Sequence, residues 1–167
     1  MTEVANEESH EPRIRRASPA DAASIVTMLQ AIHEQHLAWD AARWTTREPP
    51  HLSYADWINE LTDRPREGGV WVAEVRGTIA GYALAEVEPE STRHWIPEAV
   101  YLHDIFVAAP FRRSGVARAL MTALLQWSSA AHPSLQVRLT TAIANEAARR
   151  FFATFGFRPC VVEMIKE

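Results

Sequence analysis

Apolar residues recur at helical spacing in the N-terminal third of the chain. Ile25, Leu29 and Ile32 share one helical face. Ser18 followed by Pro19 is typical of a helix start, so the first helix is predicted to begin there.

A second helix is predicted through Trp57 and Leu61, with Ser53 as its cap. Residues 39–52, which separate the two helices, are predicted to be irregular because Pro49 and Pro50 break regular structure.

Alternating and continuous apolar runs predict the strands. They fall at residues 13–16, 70–75, 79–87, 100–107 and 135–142, with a last strand from residue 158. Arg76-Gly77 is predicted to turn a hairpin, and residues 89–97 to form a loop. This order predicts one α/β domain, of the α+β kind, with a mixed sheet over residues 12–167. The acidic, polar residues 1–11 are predicted to be a flexible tail.

Strict alternation in the fourth strand assigns its side chains to two faces. Tyr101, His103 and Val107 are predicted to share one face, and Asp104 and Phe106 the other.

Composition narrows the classes of function. The 167 residues carry a formal net charge of −4, which argues against binding to nucleic acid or an anionic membrane. No apolar run approaches the roughly 20 residues of a membrane span. The lone cysteine, Cys160, excludes an internal disulfide and favours a reducing, cytoplasmic location; it is expected to be a half-buried strand residue. No metal site is predicted.

A basic turn after the fourth strand is the main candidate for chemistry. Arg112, Arg113 and Arg118 lie there, and residues 110–131 contain no acid. The free N–H groups and the dipole of a first helical turn favour an anion, and Gly115 lets the backbone approach it. The chain has neither G-x-x-x-x-G-K-[ST] nor G-x-G-x-x-G, so arginines and backbone would bind a pyrophosphate here. The alternative is a plain strand-to-helix connection.

Two motifs carry a resemblance to a known family. Residues 112–117, RRSGVA, resemble the R/Q-x-x-G-x-G/A signature of the GNAT superfamily of acyl-CoA N-acyltransferases. Asn145, Ala148, Phe151-Phe152 and Gly156-Phe157 resemble the N-x-x-A-x-x-[LF]-[YF]-x-x-x-G-F helix of that family. The resemblance covers about residues 12–165. It implies a single GNAT-like domain with a mixed, mostly antiparallel sheet flanked by helices. The fourth and fifth strands would splay apart around the cofactor.

The resemblance implies acetyl-CoA as the acyl donor. Backbone groups of Phe106 and Val107 would bind the pantetheine arm, and the Val107 N–H would polarise the thioester carbonyl. Asn145 is expected to cap its helix and to reach the cofactor. The residues expected to bind the cofactor are Phe106, Val107, Arg112, Arg113, Ser114, Gly115, Val116, Ala117, Arg118, Asn145 and Phe152.

Acyl transfer to an amine needs the amine to lose its proton, and an alkyl ammonium has a pKa near 10.4. His103 is the candidate general base, because the family carries Glu or His at its position. Tyr101 would relay a proton or line the pocket. Glu86 and Glu88 are alternative bases, and Asp104 is interpreted as a structural hydrogen-bonder.

Phe152 departs from the family pattern, since many members have a tyrosine there that is thought to protonate the leaving thiolate. A thiol pKa near 8.5 makes a thiolate a tolerable leaving group, so the loss would slow the reaction rather than abolish it. No residue is assigned as the general acid.

Aromatic and histidine side chains outside the motifs are candidates for acceptor binding by cation–π contact or apolar fit. They are His33, His36, Trp39, Trp44, Trp57 and Trp95.

The expected function is acetyl-CoA-dependent N-acetylation of a primary amine of a small molecule, by direct attack on the thioester. The alternatives are a peptide or protein N-terminus as acceptor, and a CoA-binding sensor or scaffold with weak catalysis. An exposed sheet edge near the last strand predicts a possible homodimer.

Overall fold

A computed structural model describes residues 11–46 and 51–166, except for the side chains of residues 51–53. Its sheet has five strands in the order β1-β2-β3-β4-β5. The first four pair antiparallel in succession, whereas β5 pairs parallel to β4. The strands are β1 (Arg13–Arg16), β2 (Gly68–Val75), β3 (Thr78–Glu88), β4 (Ala99–Val107) and β5 (Gln136–Leu139). The predicted mixed, mostly antiparallel sheet is confirmed.

Helices cover both faces of this sheet. They are α1 (Ala22–Trp39), α2 (Ala41–Trp44), α3 (His51–Asp63), α4 (Val116–Ala131) and α5 (Glu146–Ala153). The core on one face contains Leu120 and Leu124 of α4 together with Phe152 of α5. The core on the other face contains Ile25 of α1 and Ile58 of α3. None of the described helices is long and apolar enough to cross a membrane.

The predicted helix start at Ser18 is confirmed, through a short 3-10 turn, Pro19–Asp21, that leads into α1. The Asp21 carboxylate accepts hydrogen bonds from the Ser18 N–H (2.7 Å) and Oγ (2.9 Å). Arg15 donates to both oxygens of the same carboxylate, at 2.7 and 2.9 Å, and holds the pKa of Asp21 well below its usual value. This network ties β1 to the first helix.

The prediction that residues 39–52 are irregular is wrong in part. The one-turn helix α2 forms within that range because Asp40 caps it, accepting from the Arg43 N–H at 3.1 Å. α3 already begins at His51, so Ser53 lies inside this helix rather than before it. Pro49, Pro50 and the side chain of Ser53 lie outside the described residues.

The C-terminal predictions are also wrong. No strand occurs over residues 158–166, and β5 ends at Leu139 rather than at residue 142. Val161 and Met164 are 85% and 89% exposed, so no sheet neighbour buries the apolar pattern that suggested a strand. Cys160 is exposed and free instead of half-buried.

A β-bulge in β4 corrects the predicted faces of that strand. Leu84 pairs with Asp104 but Ala85 pairs with Leu102, so His103 is an extra residue on β4. The extra residue reverses the alternation from that point on. Ile105 and Val107 therefore pack with Leu102 on the α4 side. His103 and Asp104 both face α3, although they are adjacent in sequence.

Candidate active site

The two strands that are expected to enclose a cofactor separate halfway along β4. Their parallel pairing runs from Ala99↔Gln136 to Leu102↔Leu139 and then stops, whereas β4 continues to Val107. The half of β4 after the bulge therefore has a neighbour, β3, on one side only. This is the gap that the predicted splaying requires.

Backbone direction along β4 determines which groups line the gap. The Ala108 N–H donates to the Ala80 carbonyl at 2.9 Å, and the β3–β4 register is regular from Val107 back to Asp104. Because backbone groups alternate in an antiparallel ladder, those of Phe106 also face β3, and those of Ile105 and Val107 face the gap. This geometry corrects the expectation for the Phe106 backbone and adds Ile105, which the sequence analysis missed.

A cleft of about 230 Å³ continues the gap between β4 and the helices α4 and α5. Its lining includes Val107, Arg112 and Ala117, together with Phe151 and Phe152 of α5. The Phe106 ring also borders it, with the Arg112 guanidinium 5.7 Å from the ring centre. Phe152 is only 7% exposed, and its ring supplies an apolar wall without a proton to give.

The basic turn lies at the mouth of this cleft. Arg113 and Gly115 adopt left-handed conformations, with φ of 64° and 87°, and α4 begins at the next residue, Val116. The first bond of the helix joins the Ala119 N–H to the Gly115 carbonyl at 3.0 Å, so the N–H groups of the preceding first turn have no partner within the helix. Such a concave turn at a helix N-terminus suits an anion.

The polar side chains of the turn support its shape. Ser114 Oγ donates to the Phe111 carbonyl at 2.6 Å, and Arg112 Nε donates to the Val107 carbonyl at 3.1 Å. Arg113 and Arg118 are exposed, and Arg118 lies over the Phe155 ring at 5.2 Å. Three arginines thus surround the turn, with no acid between residues 110 and 131.

Asn145 caps α5, as expected, since its side-chain oxygen accepts from the Ala148 N–H at 3.1 Å. Ala148 also lines the cleft, so the cap fixes the helix turn that faces the cofactor gap. A contact of Asn145 itself with a cofactor stays a prediction.

On the opposite face of the sheet, His103 lies between two acids of β3. Its Nε2 is 3.2 Å from Glu86 Oε1, outside hydrogen-bond alignment, and 3.9 Å from Glu88 Oε1. Burial lowers the pKa of His103 below its ordinary value, and the negative charge of Glu88 opposes that shift. The imidazole is therefore neutral at pH 7 and able to accept a proton.

Aromatic rings enclose this histidine. The ring centres of Trp57 and Tyr101 lie 4.7 and 4.9 Å from that of His103, and the Tyr54 ring lies 5.2 Å from Trp57. Trp57 Nε1 donates to Glu86 Oε2 at 3.4 Å. The Tyr101 hydroxyl contacts the Thr140 hydroxyl just beyond the end of β5, so Tyr101 reaches across the gap.

Asp104 hydrogen-bonds as the sequence analysis expected, but on the face that it did not expect. Its Oδ2 accepts from the Tyr54 hydroxyl at 2.5 Å. Burial raises the pKa of Asp104, and the Tyr54 hydrogen bond and the nearby His36 oppose that shift. Tyr54 is a second residue that the sequence analysis missed, because its partner lies 50 positions away.

The candidate aromatic residues for acceptor binding are only partly brought together. His36 packs against Trp39 and Trp44, with ring centres 5.2 and 4.2 Å away, and His33 Nε2 lies 3.2 Å from the Trp44 carbonyl. Trp57 packs against His103, and His36 is close enough to Asp104 to lower the pKa of its carboxyl. Trp95 does not join them, since it is 91% exposed in the β3–β4 loop. Within residues 11–46 and 51–166, no cluster of His, Cys, Asp and Glu could hold a metal ion.

Comparison with solved structures identifies the fold. The chain is similar to a tetramutant of the BH1408 protein from Bacillus halodurans, with a TM-score of 0.74 and 22% identity over 93% of this chain and 98% of that chain. It is also similar to glucosamine-6-phosphate N-acetyltransferase from Arabidopsis thaliana, with a TM-score of 0.66 and 16% identity over 94% and 98%.

A third similar structure is an aminoglycoside acetyltransferase from an uncultured soil metagenomic sample, in complex with sisomicin. Its TM-score is 0.65 and its identity is 17%, over 93% of this chain and 95% of that chain.

The comparison with curated protein sequences found no match. Residues 29–157, which include the basic turn, the cleft and His103, match the profile of the acetyltransferase (GNAT) family. The chain therefore belongs to the GNAT acetyltransferase family.

Proposed function

We propose that this chain transfers the acetyl group of acetyl-CoA to a primary amine of a small molecule, by direct attack of the amine on the thioester. One observation carries the proposal. The half of β4 that lacks β5 as a neighbour lies between a cleft with a basic mouth and His103, whose pKa is lowered by burial. Donor and acceptor could thus meet at a single strand.

The turn and the cleft would bind acetyl-CoA. The first-turn N–H groups of α4, from Val116 to Arg118, and the arginines around them would hold the pyrophosphate. The pantetheine arm would lie in the gap and bind the backbone groups of Val107 and Ile105 that face it. The N–H of Val107 would polarise the thioester carbonyl as predicted, and that of Ile105 offers a second donor nearer His103.

His103 would act as the general base. The attacking nitrogen forms a bond to the thioester carbon and gives its proton to the imidazole, directly or through a water, while the carbon–sulfur bond breaks. Glu86 and Trp57 support the imidazole: Glu86 lies 3.2 Å from its Nε2, and Trp57 donates to Glu86. Tyr101 would line the approach to the thioester from the β5 side.

The thiolate would leave as the anion and take a proton from solvent, because Phe152 has none to give. Its pKa near 8.5 allows this at neutral pH. The reaction therefore needs no general acid. We expect the wild-type chain to turn over more slowly than a Phe152→Tyr variant.

A small-molecule acceptor is supported by two of the structural neighbours, which are named as acetyltransferases of glucosamine-6-phosphate and of aminoglycosides. A peptide N-terminus remains the alternative acceptor. A cytoplasmic location and a homodimer stay predictions.

The test is acetyl-CoA-dependent release of thiol with a panel of amines, namely polyamines, aromatic amines, amino acids, aminoglycosides and short peptides. The expected result is release with at least one small amine. Release with peptides alone would overturn the small-molecule acceptor.

A CoA-binding sensor is the second candidate function, and Phe152 is the observation that favours it. Such a protein would be stabilised by acetyl-CoA in a thermal melt but would release no thiol with any amine. If Phe152→Tyr then released thiol with an amine, the acceptor face would be able to bind and activate an amine, and only the general acid would be missing in the wild-type chain.

A further inference from the structure

The acceptor face carries two carboxylates, Glu86 and Glu88, that no described arginine or lysine neutralises. Glu86 and Glu88 have His103 as their ion-pair partner, and no arginine or lysine in the described part of the chain lies within 4 Å of either. His103 is itself neutral at pH 7, because burial lowers its pKa. Two carboxylates with no arginine or lysine beside them among the described residues create a negative potential beside the proposed reaction centre.

The two acids differ in their contacts within the protein and in their exposure to solvent. Glu86 accepts from Trp57 and is the nearer to His103, and its side chain is 28% exposed. Glu88 lies two residues further along the same face of β3, and its side chain is 45% exposed. Glu86 therefore interacts with Trp57 and His103 of the protein itself, whereas the carboxylate of Glu88 is accessible to a ligand.

Aromatic rings adjoin these acids. Tyr54, Trp57, His103 and Tyr101 form a continuous row in which neighbouring ring centres are 4.7 to 5.2 Å apart. Aromatic faces attract cations and pack against methylene groups, and they exclude water that would screen a nearby carboxylate. Acids and rings together favour an organic cation over an anion or a neutral sugar.

We assign the cation that Glu88 attracts to a second nitrogen of the acceptor. With His103 as the base, the reacting nitrogen must be neutral to attack, and a carboxylate beside it would raise its pKa. A second, non-reacting ammonium group has the opposite effect, because its charge lowers the pKa of the reacting amine. It therefore assists a base as weak as the buried His103.

Resting on the proposed function, we propose that the physiological acceptor carries a second positive charge beside its reacting amine, and that Glu88 binds this charge. The acceptor class is a diamine, a polyamine or another amine with more than one cationic group. Glu88 thus acts as a specificity-determining residue, and His103 remains the base.

The test compares acceptors that differ only in the second charge. Putrescine and n-pentylamine have the same number of heavy atoms, and so do the aromatic pair p-xylylenediamine and 4-ethylbenzylamine. The wild-type protein is expected to show a kcat/KM at least ~10-fold higher for the diamine of a pair, and rising ionic strength should reduce that ratio.

Glu88→Gln should remove most of this preference by raising KM for the diamine, so that the ratio of kcat/KM between diamine and monoamine falls to within about twofold of 1. The matched control is Glu90→Gln, which removes the same charge from an exposed position two residues further along the chain. It should keep the wild-type ratio.

Equal kcat/KM values within both pairs would overturn the proposal for Glu88 and leave the proposed function standing. So would a Glu88→Gln variant that loses activity equally on monoamine and diamine. If no amine in the panel supported thiol release, the proposed function would be overturned, and the assignment of Glu88 would be overturned with it.

Discussion

The cofactor half of the site is made mainly of backbone groups from one contiguous segment, whereas the acceptor half is made of side chains from separate elements. Residues 105–118 supply the gap-facing backbone, the turn and the helix start. The acceptor half draws on α3, β3 and β4, whose side chains meet around His103. The first half carries three arginines and no acid between residues 110 and 131, whereas in the second half no arginine or lysine of the described residues lies within 4 Å of Glu86 or Glu88.

This difference separates what the two halves can specify. Backbone N–H groups at a helix start recognise an anion whatever side chains surround them, so such a turn suits a cofactor common to many enzymes. Side chains gathered from several elements can change one at a time, which allows the acceptor to differ between proteins of the same fold. A variant in one half should therefore leave the function of the other half intact.

The largest expected effect comes from Gly115→Glu. A carboxylate at this turn would repel the pyrophosphate, and acetyl-CoA affinity should fall by about 100-fold or more. Isothermal titration calorimetry measures the affinity, and circular dichroism should stay near native because a Cβ at Gly115 meets no atom within 4 Å.

Gly77→Glu is the matched control for that variant. Gly77 has a similar left-handed φ of 72°, its Cβ would also meet no atom within 4 Å, and it lies in the β2–β3 turn. The two variants share the added charge and the backbone strain, so an equal loss of acetyl-CoA affinity in both would contradict the pyrophosphate assignment.

His103→Ala should affect the acceptor half of the site alone. Turnover should drop at least ~10-fold, the lower part of the range for general-base catalysis. Acetyl-CoA affinity should stay within about twofold of wild type, because His103 lies on the sheet face away from the cleft. Steady-state kinetics and calorimetry on the same preparation check both values, and unchanged turnover would remove His103 from the mechanism.

Phe152→Tyr tests the point where the two halves meet. A hydroxyl in the cleft could protonate the departing thiolate, so kcat should rise about threefold to tenfold with little change in acetyl-CoA affinity. The measurement is kcat at saturating acetyl-CoA and amine. A lower kcat, with the fold intact, would show that the apolar wall matters more than an added acid.

The smallest expected effect concerns pH. A base acts when deprotonated, and burial lowers the pKa of His103, so the acid limb of kcat/KM should lie below the ordinary histidine value. Glu88 raises that pKa, so Glu88→Gln should move the limb to still lower pH, and Glu90→Gln should not move it. A limb that shifts to higher pH in Glu88→Gln would contradict His103 as the titrating base.

The same contrast explains how much the sequence predicted. The turn, the start of α4 and the cap at Asn145 depend on residues close together in the chain, and their structure agrees with the prediction. The mixed sheet follows from the order of apolar runs. Local pattern and local structure coincide in this half.

The acceptor half depended on features that local pattern does not determine. One inserted residue at the bulge reverses the faces of β4, and the consecutive polar residues His103 and Asp104 are its only trace in an otherwise apolar run. The contact between Tyr54 and Asp104 joins elements 50 residues apart. The predicted last strand does not form, and its apolar residues, among them Val161 and Met164, are exposed without a neighbouring strand.

The central claim is direct transfer between the two halves, and a single-turnover experiment with acetyl-CoA labelled with ¹³C at its carbonyl tests it most directly. With enzyme in excess and an amine from the panel that supports thiol release, carbon NMR and intact-protein mass spectrometry follow the label. The account predicts one N-acetylated amine for each CoA released and no label on the protein at any time. Label found on a protein side chain before it reaches the amine, or released only as acetate, would contradict direct attack.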